Sequence, residues 1–200
     1  MIALLAVLAG AAGAAAAPPA PPRSEACAEC HGAAGNPADP AVPSLAGQQR
    51  AYLSLQLVQY REQRREDAQM SPFAQGLSDA EIEELAAFYA AQRPTGGRRP
   101  IAPAKLASGR KVLRANHCDS CHLPDLTGQR HVPRLAGLHY EYLLKEMRGF
   151  KAQTRADLDG SMTMAAQTLS DRDIEDVVAY IASLPADPPA ASPGGARPRR

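Results

Sequence analysis

Two pentapeptides of one pattern constrain this chain more than any other feature of its sequence. CAECH begins at Cys27 and CDSCH begins at Cys118, and together they contain all four cysteines of the 200 residues. Each has two thiols separated by two residues and a histidine directly after the second thiol. Any fold proposed for the chain must therefore explain a Cys-x-x-Cys-His unit that occurs twice.

The pentapeptides belong to an internal repeat. PSLAG at Pro43 recurs as PRLAG at Pro133, and LSD at Leu77 recurs at Leu169. The offset between the copies is 91 residues at the cysteines, 90 at PxLAG and 92 at LSD, so short loop insertions account for the differences. Self-similarity of this kind is the signature of a tandem duplication. The sequence therefore predicts two domains of one fold.

Composition predicts where the domains begin and end. Residues 1–17 carry no charged side chain and are rich in Ala and Leu, which indicates a secretory signal peptide, with an uncleaved apolar anchor as the alternative. We expect the first domain at 18–92, a Pro/Gly/Arg linker at 93–104 and the second domain at 105–185. The Pro-rich tail, 186–200, is expected to be disordered.

The secondary structure signals favour helices. Apolar residues at helical spacing follow Tyr52 in the first copy and Tyr142 in the second. The last helix of each copy begins with a capping-box pattern, at Ser78–Glu81 and at Ser170–Asp173. Only the second copy has room for a helix before its pentapeptide, from Lys105, because the first pentapeptide is preceded by PPAPPRSEA and prolines oppose a helix.

Three uses of the cysteines do not account for the histidine. A Cys-x-x-Cys disulfide closes a very short loop and restrains the unfolded chain little. Zinc ribbons separate their two cysteine pairs by about 15–20 residues, whereas 87 residues intervene here. A dithiol oxidoreductase requires a strand-then-helix context that the sequence does not show.

Cys-x-x-Cys-His is the signature of covalent c-type haem attachment. On one short helical turn the two thiols reach the two vinyl groups of one porphyrin, and the next residue directs its imidazole at the iron. Two covalent haem c groups would also supply the apolar core material that small domains with 4% aromatic residues lack. The expected covalent attachment residues are Cys27, Cys30, Cys118 and Cys121, and the expected iron ligands are His31 and His122.

The sixth iron ligand is expected to be a methionine in each copy. Met70 and Met162 both lie seven residues before the Leu of the LSD motif, and a thioether is a soft ligand that favours ferrous iron. Met164 is the rival of Met162, although its counterpart in the first copy is Pro72, which cannot ligate. Met147 lies in a helical apolar stripe and is expected to pack in the core. Bis-histidine coordination of the second haem, by His117, His131 or His139, is the remaining alternative.

With these motifs the chain resembles the dihaem class I c-type cytochromes of the cytochrome c4 family. CAECHG, GNP, PSLAGQ and M-x-P-x-A-x-x-L-S-D of the first copy carry the resemblance, which extends over about 24–184. It implies an all-α fold of two tandem class I cytochrome c domains, each a small helical fold around its covalently attached haem. It also implies that Pro43 and Pro133 lie beside the haems, where a backbone carbonyl can orient His31 or His122.

The resemblance implies a function as an electron carrier. Electrons would pass in the periplasm between respiratory-chain partners, such as a cytochrome bc complex and a haem-copper terminal oxidase. Such partners could also bring the chain into peripheral association with the membrane. The alternatives are an electron-accepting subunit of a periplasmic dehydrogenase and a peroxidase-type haem enzyme, which needs an open iron position that two well-placed methionines oppose. A net charge of +1 gives no reason to expect nucleic acid.

The second copy departs from the family pattern at CHLPD and LAGLHY, and the first copy lacks an entry helix. In such cytochromes the first and last helices pack together. We therefore expect the first haem to be less shielded from solvent, or the first domain to lean on the second.

Overall fold

The computed structural model describes residues 18–96 and 100–187. The predicted signal peptide, residues 97–99 of the linker and the tail from residue 188 lie outside the described residues. Within the described part of the chain there is no β-strand, and no helix there is long and apolar enough to cross a bilayer. The helices are α1 (Ser24–His31), α2 (Arg50–Arg61), α3 (Met70–Ala74), α4 (Asp79–Ala90), α5 (Pro103–Ala115), α6 (Cys118–His122), α7 (Tyr140–Lys151), α8 (Ser161–Gln167) and α9 (Asp171–Ala182). The all-α prediction is confirmed.

The last helix of each copy begins as its sequence predicts. The Ser78 hydroxyl accepts a hydrogen bond from the Glu81 amide, and the Glu81 carboxylate accepts one from the Ser78 amide at 2.8 Å. Ser170 and Asp173 make the same reciprocal pair at the start of α9. These bonds satisfy amide groups that the first turn of a helix leaves unpaired. Both predicted capping boxes are confirmed.

Two apolar clusters follow the two copies. In the first, residues of α2 and α4 pack around Ile82 and Leu85. In the second, residues of α5, α7 and α9 pack around Ile174 and Val178. Because each cluster lies within one copy of the repeat, each copy has its own core, and the two copies are called the first and second domains below.

The second domain contains α5, an entry helix without a counterpart among the described residues of the first domain, which begin at residue 18. The helix begins at Pro103, two residues before the predicted Lys105, because a proline is accommodated in the first turn of a helix. Gly109 is buried where α5 crosses α9, and a Cβ atom there would lie 1.9 Å from the carbonyl oxygen of Asp176. In the first domain, the helix that carries the pentapeptide is α1, which begins at Ser24, three residues before Cys27.

The buried faces of α2 and α7 contain polar residues as well as the apolar stripe that the sequence predicts. On α2, Leu53 and Gln59 are buried while Tyr52 is half-buried. On α7, Tyr142 and Glu146 are both buried. Periodicity predicts the face that packs on a helix's own domain, whereas these two helices also contact the other domain and so bury polar residues as well.

Candidate functional site

Each pentapeptide lies on a helix that ends at its histidine. CAECH forms the end of α1, and CDSCH forms the whole of α6. The next residue leaves the helix with a positive φ, 75° at Gly32 and 69° at Leu123. A branched side chain rarely adopts this conformation, so Leu123 holds the turn at a cost that Gly32 avoids. The two thiols of each pentapeptide therefore lie about one helical turn apart, and the chain turns away directly after the imidazole.

The two imidazoles are buried and oriented by proline carbonyls. His31 and His122 are 4% and 5% exposed. Nδ1 of His31 lies 2.9 Å from the Pro43 carbonyl oxygen, and Nδ1 of His122 lies 2.9 Å from that of Pro133. Because a carbonyl only accepts, Nδ1 carries the proton, and Nε2 keeps the lone pair that a metal requires.

Burial also favours the neutral imidazoles. It lowers the pKa of both His31 and His122, against a smaller opposing contribution from the hydrogen bond to the proline carbonyl. Nε2 of His31 is buried and has no hydrogen-bond partner. A buried polar atom left without a partner costs about 1–3 kcal/mol. A haem iron bound at Nε2 would satisfy this atom, so the residues fit the group that the pentapeptide predicts.

The cysteines are placed alike in the two domains. Cys27 and Cys118 are half-buried, Cys30 and Cys121 are exposed, and none forms a disulfide. Burial raises the pKa of the Cys27 and Cys118 thiols. Across residues 18–96 and 100–187, no three His, Cys, Asp or Glu side chains converge on a point that could hold a metal ion. The two cysteine pairs thus do not meet, as a shared zinc site would require.

The two predicted methionine ligands have a common backbone anchor. Met70 begins α3, and its amide donates a hydrogen bond to Asp67 Oδ1 at 3.1 Å. Met162 is the second residue of α8, and its amide donates to Asp157 Oδ2 at 2.7 Å. Both methionines are half-buried, whereas Met164 is 63% exposed. Met162 therefore shares the environment of Met70, and Met164 does not.

The other candidate ligands differ among themselves in exposure and packing. Met147 packs against the second core, as predicted. His117 and His131 are exposed, and His139 is half-buried directly before α7. Exposure therefore disfavours His117 and His131 as a second histidine ligand.

A buried cluster of charged residues joins the domains, and the sequence interpretation missed it. Arg65 and Arg155 occupy equivalent positions in the two copies and both bind Glu146, with N–O distances of 2.9 and 2.6 Å. Their guanidinium groups lie over the rings of Tyr60 and Phe150, at 4.7 and 4.2 Å from the ring centroids. The offset of 90 residues between the arginines shows from the sequence that they are equivalent, but it does not show that they meet at Glu146.

The charges of this cluster do not balance. Two guanidinium groups share one carboxylate, and Nε of Arg155 is buried without a hydrogen-bond partner. A buried excess of charge is costly unless a counter-charge accompanies it. The cluster therefore fits an anionic group, and the two propionates that a haem carries are anions of this kind.

Two family models match the chain, one in each half. Residues 106–185 match the family described as Cytochrome c, and residues 15–88 match the family described as Cytochrome C oxidase, cbb3-type, subunit III. The two matches cover both pentapeptides. The c-type pattern is thus recognised separately in each copy of the repeat.

Known proteins resemble the chain over most of its length. Cytochrome c4 of Thiocapsa roseopersicina is 38% identical over 152 residues, which are 70% of this chain and 77% of that protein. The solved structure of cytochrome c4 from Acidithiobacillus ferrooxidans has a TM-score of 0.72 and 32% identity, covering 80% of this chain and 99% of that chain. The thiosulfate dehydrogenase electron acceptor of Thiomonas intermedia (strain K12) is 33% identical over 154 residues, which are 72% of this chain and 71% of that protein.

Proposed function

Because this chain belongs to the cytochrome c4 family, and so is an electron carrier with two covalently bound haem c groups, we propose that it works in the periplasm. It would carry electrons between respiratory-chain partners, from a cytochrome bc complex toward a haem-copper terminal oxidase. The observation that best supports a carrier is the pair of buried histidines, each oriented by a proline carbonyl at 2.9 Å. The signal-like segment at 1–17 supports export.

Each haem would be held by residues of its own copy of the repeat. The cysteines of each pentapeptide form the thioether links, and His31 and His122 bind the two irons. Met70 is the sixth ligand of the first haem. Met162 is the sixth ligand of the second, because Met164 is largely exposed and lacks a counterpart in the first domain. Arg65 and Arg155 would hold propionates, since their cluster lacks negative charge.

Each haem supplies reversible one-electron chemistry, and the chain determines how that chemistry is used. Nδ1–H donation to Pro43 or Pro133 keeps the imidazole in the tautomer that binds iron. Burial of the imidazoles excludes water from the ligating nitrogens. A methionine in the sixth position leaves no position for substrate, which suits transfer of electrons without bond formation and opposes a peroxidase-type reaction.

A second candidate is an electron-accepting subunit of a periplasmic dehydrogenase. The 33% identity with a thiosulfate dehydrogenase electron acceptor favours it over other enzyme partners. The two candidates share the same haem sites and differ only in the donor. Stable copurification of the exported chain with a dehydrogenase would favour the subunit, and isolation as a free protein that an oxidase rapidly reoxidises would favour the carrier.

The test of the proposal combines haem counting with ligand binding. A pyridine haemochrome assay on the exported protein should give two covalent haems per chain. The reduced protein should bind carbon monoxide only slowly, because Met70 and Met162 would have to be displaced from the irons first. Fewer than two covalent haems would contradict the cofactor assignment, and rapid carbon monoxide binding at both haems would indicate an open-site enzyme.

A further inference from the structure

The peptide group between Pro133 and Arg134 is hydrogen-bonded at both ends. Its carbonyl oxygen is 2.9 Å from Nδ1 of His122. Its N–H donates to Oε1 of Gln48 at 2.6 Å. Gln48 belongs to the first domain, whereas the peptide and the histidine belong to the second. A first-domain side chain thus binds the peptide that orients the second-domain imidazole.

The Gln48 side chain is held in one orientation. It is 4% exposed, and its Nε2 donates to the Arg134 carbonyl oxygen at 3.0 Å. Its Oε1 also accepts a bond from the Gln49 amide at 2.9 Å. If the amide were rotated by half a turn, its NH₂ group would face two N–H donors. The network therefore fixes the oxygen against the amide of Arg134.

Arg134 reinforces the same contact from the second domain. Its Nε donates to the Gly47 carbonyl oxygen at 3.1 Å. The segment that carries Gln48 and the segment that carries Pro133 are therefore bound to each other through three hydrogen bonds. We call Gln48 and Arg134 the interdomain clasp.

The interdomain clasp is asymmetric, because the side chains at the equivalent positions of the repeat make no such hydrogen bonds between the domains. At the repeat offset of 90 residues, Gln48 corresponds to Leu138, whose side chain can neither donate nor accept a hydrogen bond. Arg134 corresponds to Ser44, whose hydroxyl donates to the Gly35 carbonyl oxygen of its own domain at 3.0 Å. The first domain thus contacts the orienting peptide of His122, and the second domain has no equivalent glutamine with which to contact that of His31.

We propose that Gln48 is a positioning residue for His122 and lowers the reduction potential of the second haem. Hydrogen bonds in a chain polarise one another, so donation of the Arg134 N–H to Gln48 makes the Pro133 carbonyl a stronger acceptor. A stronger acceptor raises the basicity of the ligating imidazole and stabilises ferric iron. Docking of the first domain then tunes the second haem and leaves the first unchanged. The inference rests on the proposed ligation of the second iron by His122.

The test uses the full-length protein with both haems and the variant Gln48→Leu, which introduces the residue type found at position 138. The matched control is Gln49→Leu. Gln49 also spans the domains, with Nε2 bonds of 2.9 Å to Thr127 O and 3.2 Å to Gly128 O, but it does not touch the orienting peptide. Gln48→Met, which keeps the length of the side chain, replaces Gln48→Leu if the latter loses haem.

We expect redox titration of Gln48→Leu to show a several-fold increase in the ratio of ferrous to ferric iron at the second haem. A tenfold change in this ratio equals about 59 mV for a one-electron couple. The first haem should keep its potential, and Gln49→Leu should leave both in place. In NMR spectra of the reduced protein, the Nδ1–H signal of His122 should move upfield and exchange faster with solvent, while that of His31 stays.

An unchanged second-haem potential, or equal shifts in Gln48→Leu and Gln49→Leu, would overturn the inference. Both results count only when two covalent haems and the wild-type visible spectrum are retained. Failure of the proposed function has a different signature, namely missing haem or absent histidine ligation in the wild-type protein. The two failures are therefore distinguishable.

Discussion

The two domains support their pentapeptides differently, yet they bury His31 and His122, the proposed iron ligands, to the same depth. In the second domain, α5 crosses α9 so closely that Gly109 lies against the backbone of Asp176. In the first domain α1 is short, and Tyr89 reaches its start with a hydroxyl contact of 3.5 Å to the Ser24 carbonyl. His31 and His122 nevertheless differ by one percentage point in exposure.

The imidazoles are equally buried although, among the described residues, only the second domain has the entry helix α5. Burial of the imidazole therefore depends on the pentapeptide and its proline carbonyl, and not on that helix. The equal exposure of His31 and His122 does not agree with the expectation that the first haem is less shielded from solvent. The alternative expectation, that the first domain leans on the second, agrees with the contacts that Gln48, Gln49 and Arg65 make with the second domain. The first domain is therefore stabilised by contacts with the second domain, whereas the second domain is stabilised by its own helix α5.

The largest effect is expected from substitution of Met70 and Met162, the proposed methionine ligands. Met162→Ala should abolish the sulfur-to-iron absorption of the second haem near the red end of the visible spectrum and lower its potential, because a thioether favours ferrous iron. Met70→Ala should do the same at the first haem, where Pro72 offers no substitute. The absorption spectrum and a redox titration of the purified protein measure both effects.

Met164→Ala is the matched control for Met162. Its side chain is 63% exposed, so we expect the spectrum and both potentials to remain at their wild-type values. Loss of the band in Met164→Ala alone would reverse the assignment and show that the two domains differ in how they present the sixth ligand.

Local and repeated features of the fold and the site could be predicted from the sequence. The capping boxes at Ser78 and Ser170 follow from residues three positions apart, and the pentapeptides carry their chemistry within five residues. The contacts between the His31 and His122 rings and the proline carbonyls follow from the family resemblance. None of these depends on how the two domains dock.

The interdomain residues could not be predicted in the same way. Gln48 lies in the loop before α2, and Glu146 is a polar residue of α7, so the sequence favours a solvated position for both. Their burial is decided by the docking of two folded bodies, which leaves no periodic signal in either segment. Arg65 and Arg155 could have been noticed from the repeat, but only as an equivalence without a known contact.

The next largest effect is expected where α5 crosses α9. Gly109→Ala places a Cβ atom 1.9 Å from the carbonyl oxygen of Asp176, so the helices must separate. Overpacking of this kind destabilises a domain by about 1–3 kcal/mol. Denaturant unfolding, followed separately at the two haems, should show the loss in the second domain.

Gly76→Ala is the control in the first domain. Gly76 is exposed and nothing lies within 4 Å of the added Cβ, so the change in the free energy of unfolding should stay within about 0.5 kcal/mol. Equal destabilisation by the two variants would mean that the α5–α9 crossing does not distinguish the second domain.

The smallest effect is expected at a surface ion pair of the first domain, between Arg23 and Glu81, where the second domain has the α5–α9 crossing. Arg23 Nε binds Glu81 at 2.7 Å, which ties the residue before α1 to the capping box of α4. Arg23, followed by the Ser78 amide and hydroxyl, lowers the pKa of Glu81 from 4.5 to about 2. A carboxyl group with a lowered pKa stabilises the folded state above its ordinary pKa, and this contribution is lost as the pH falls toward 2.

Glu81→Gln should therefore flatten the decrease in the thermal midpoint of the first domain between pH 4.5 and about 2. The effect should be small and should diminish with salt, because the pair is exposed. Asp173→Asn is the counterpart in the second domain, where Ser170 is the main cause of the lowered pKa. If high salt reduces the Glu81→Gln effect no more than the Asp173→Asn effect, the Arg23–Glu81 pair does not attach α1 to α4, and α1 is held by its packing and by the Tyr89–Ser24 contact instead.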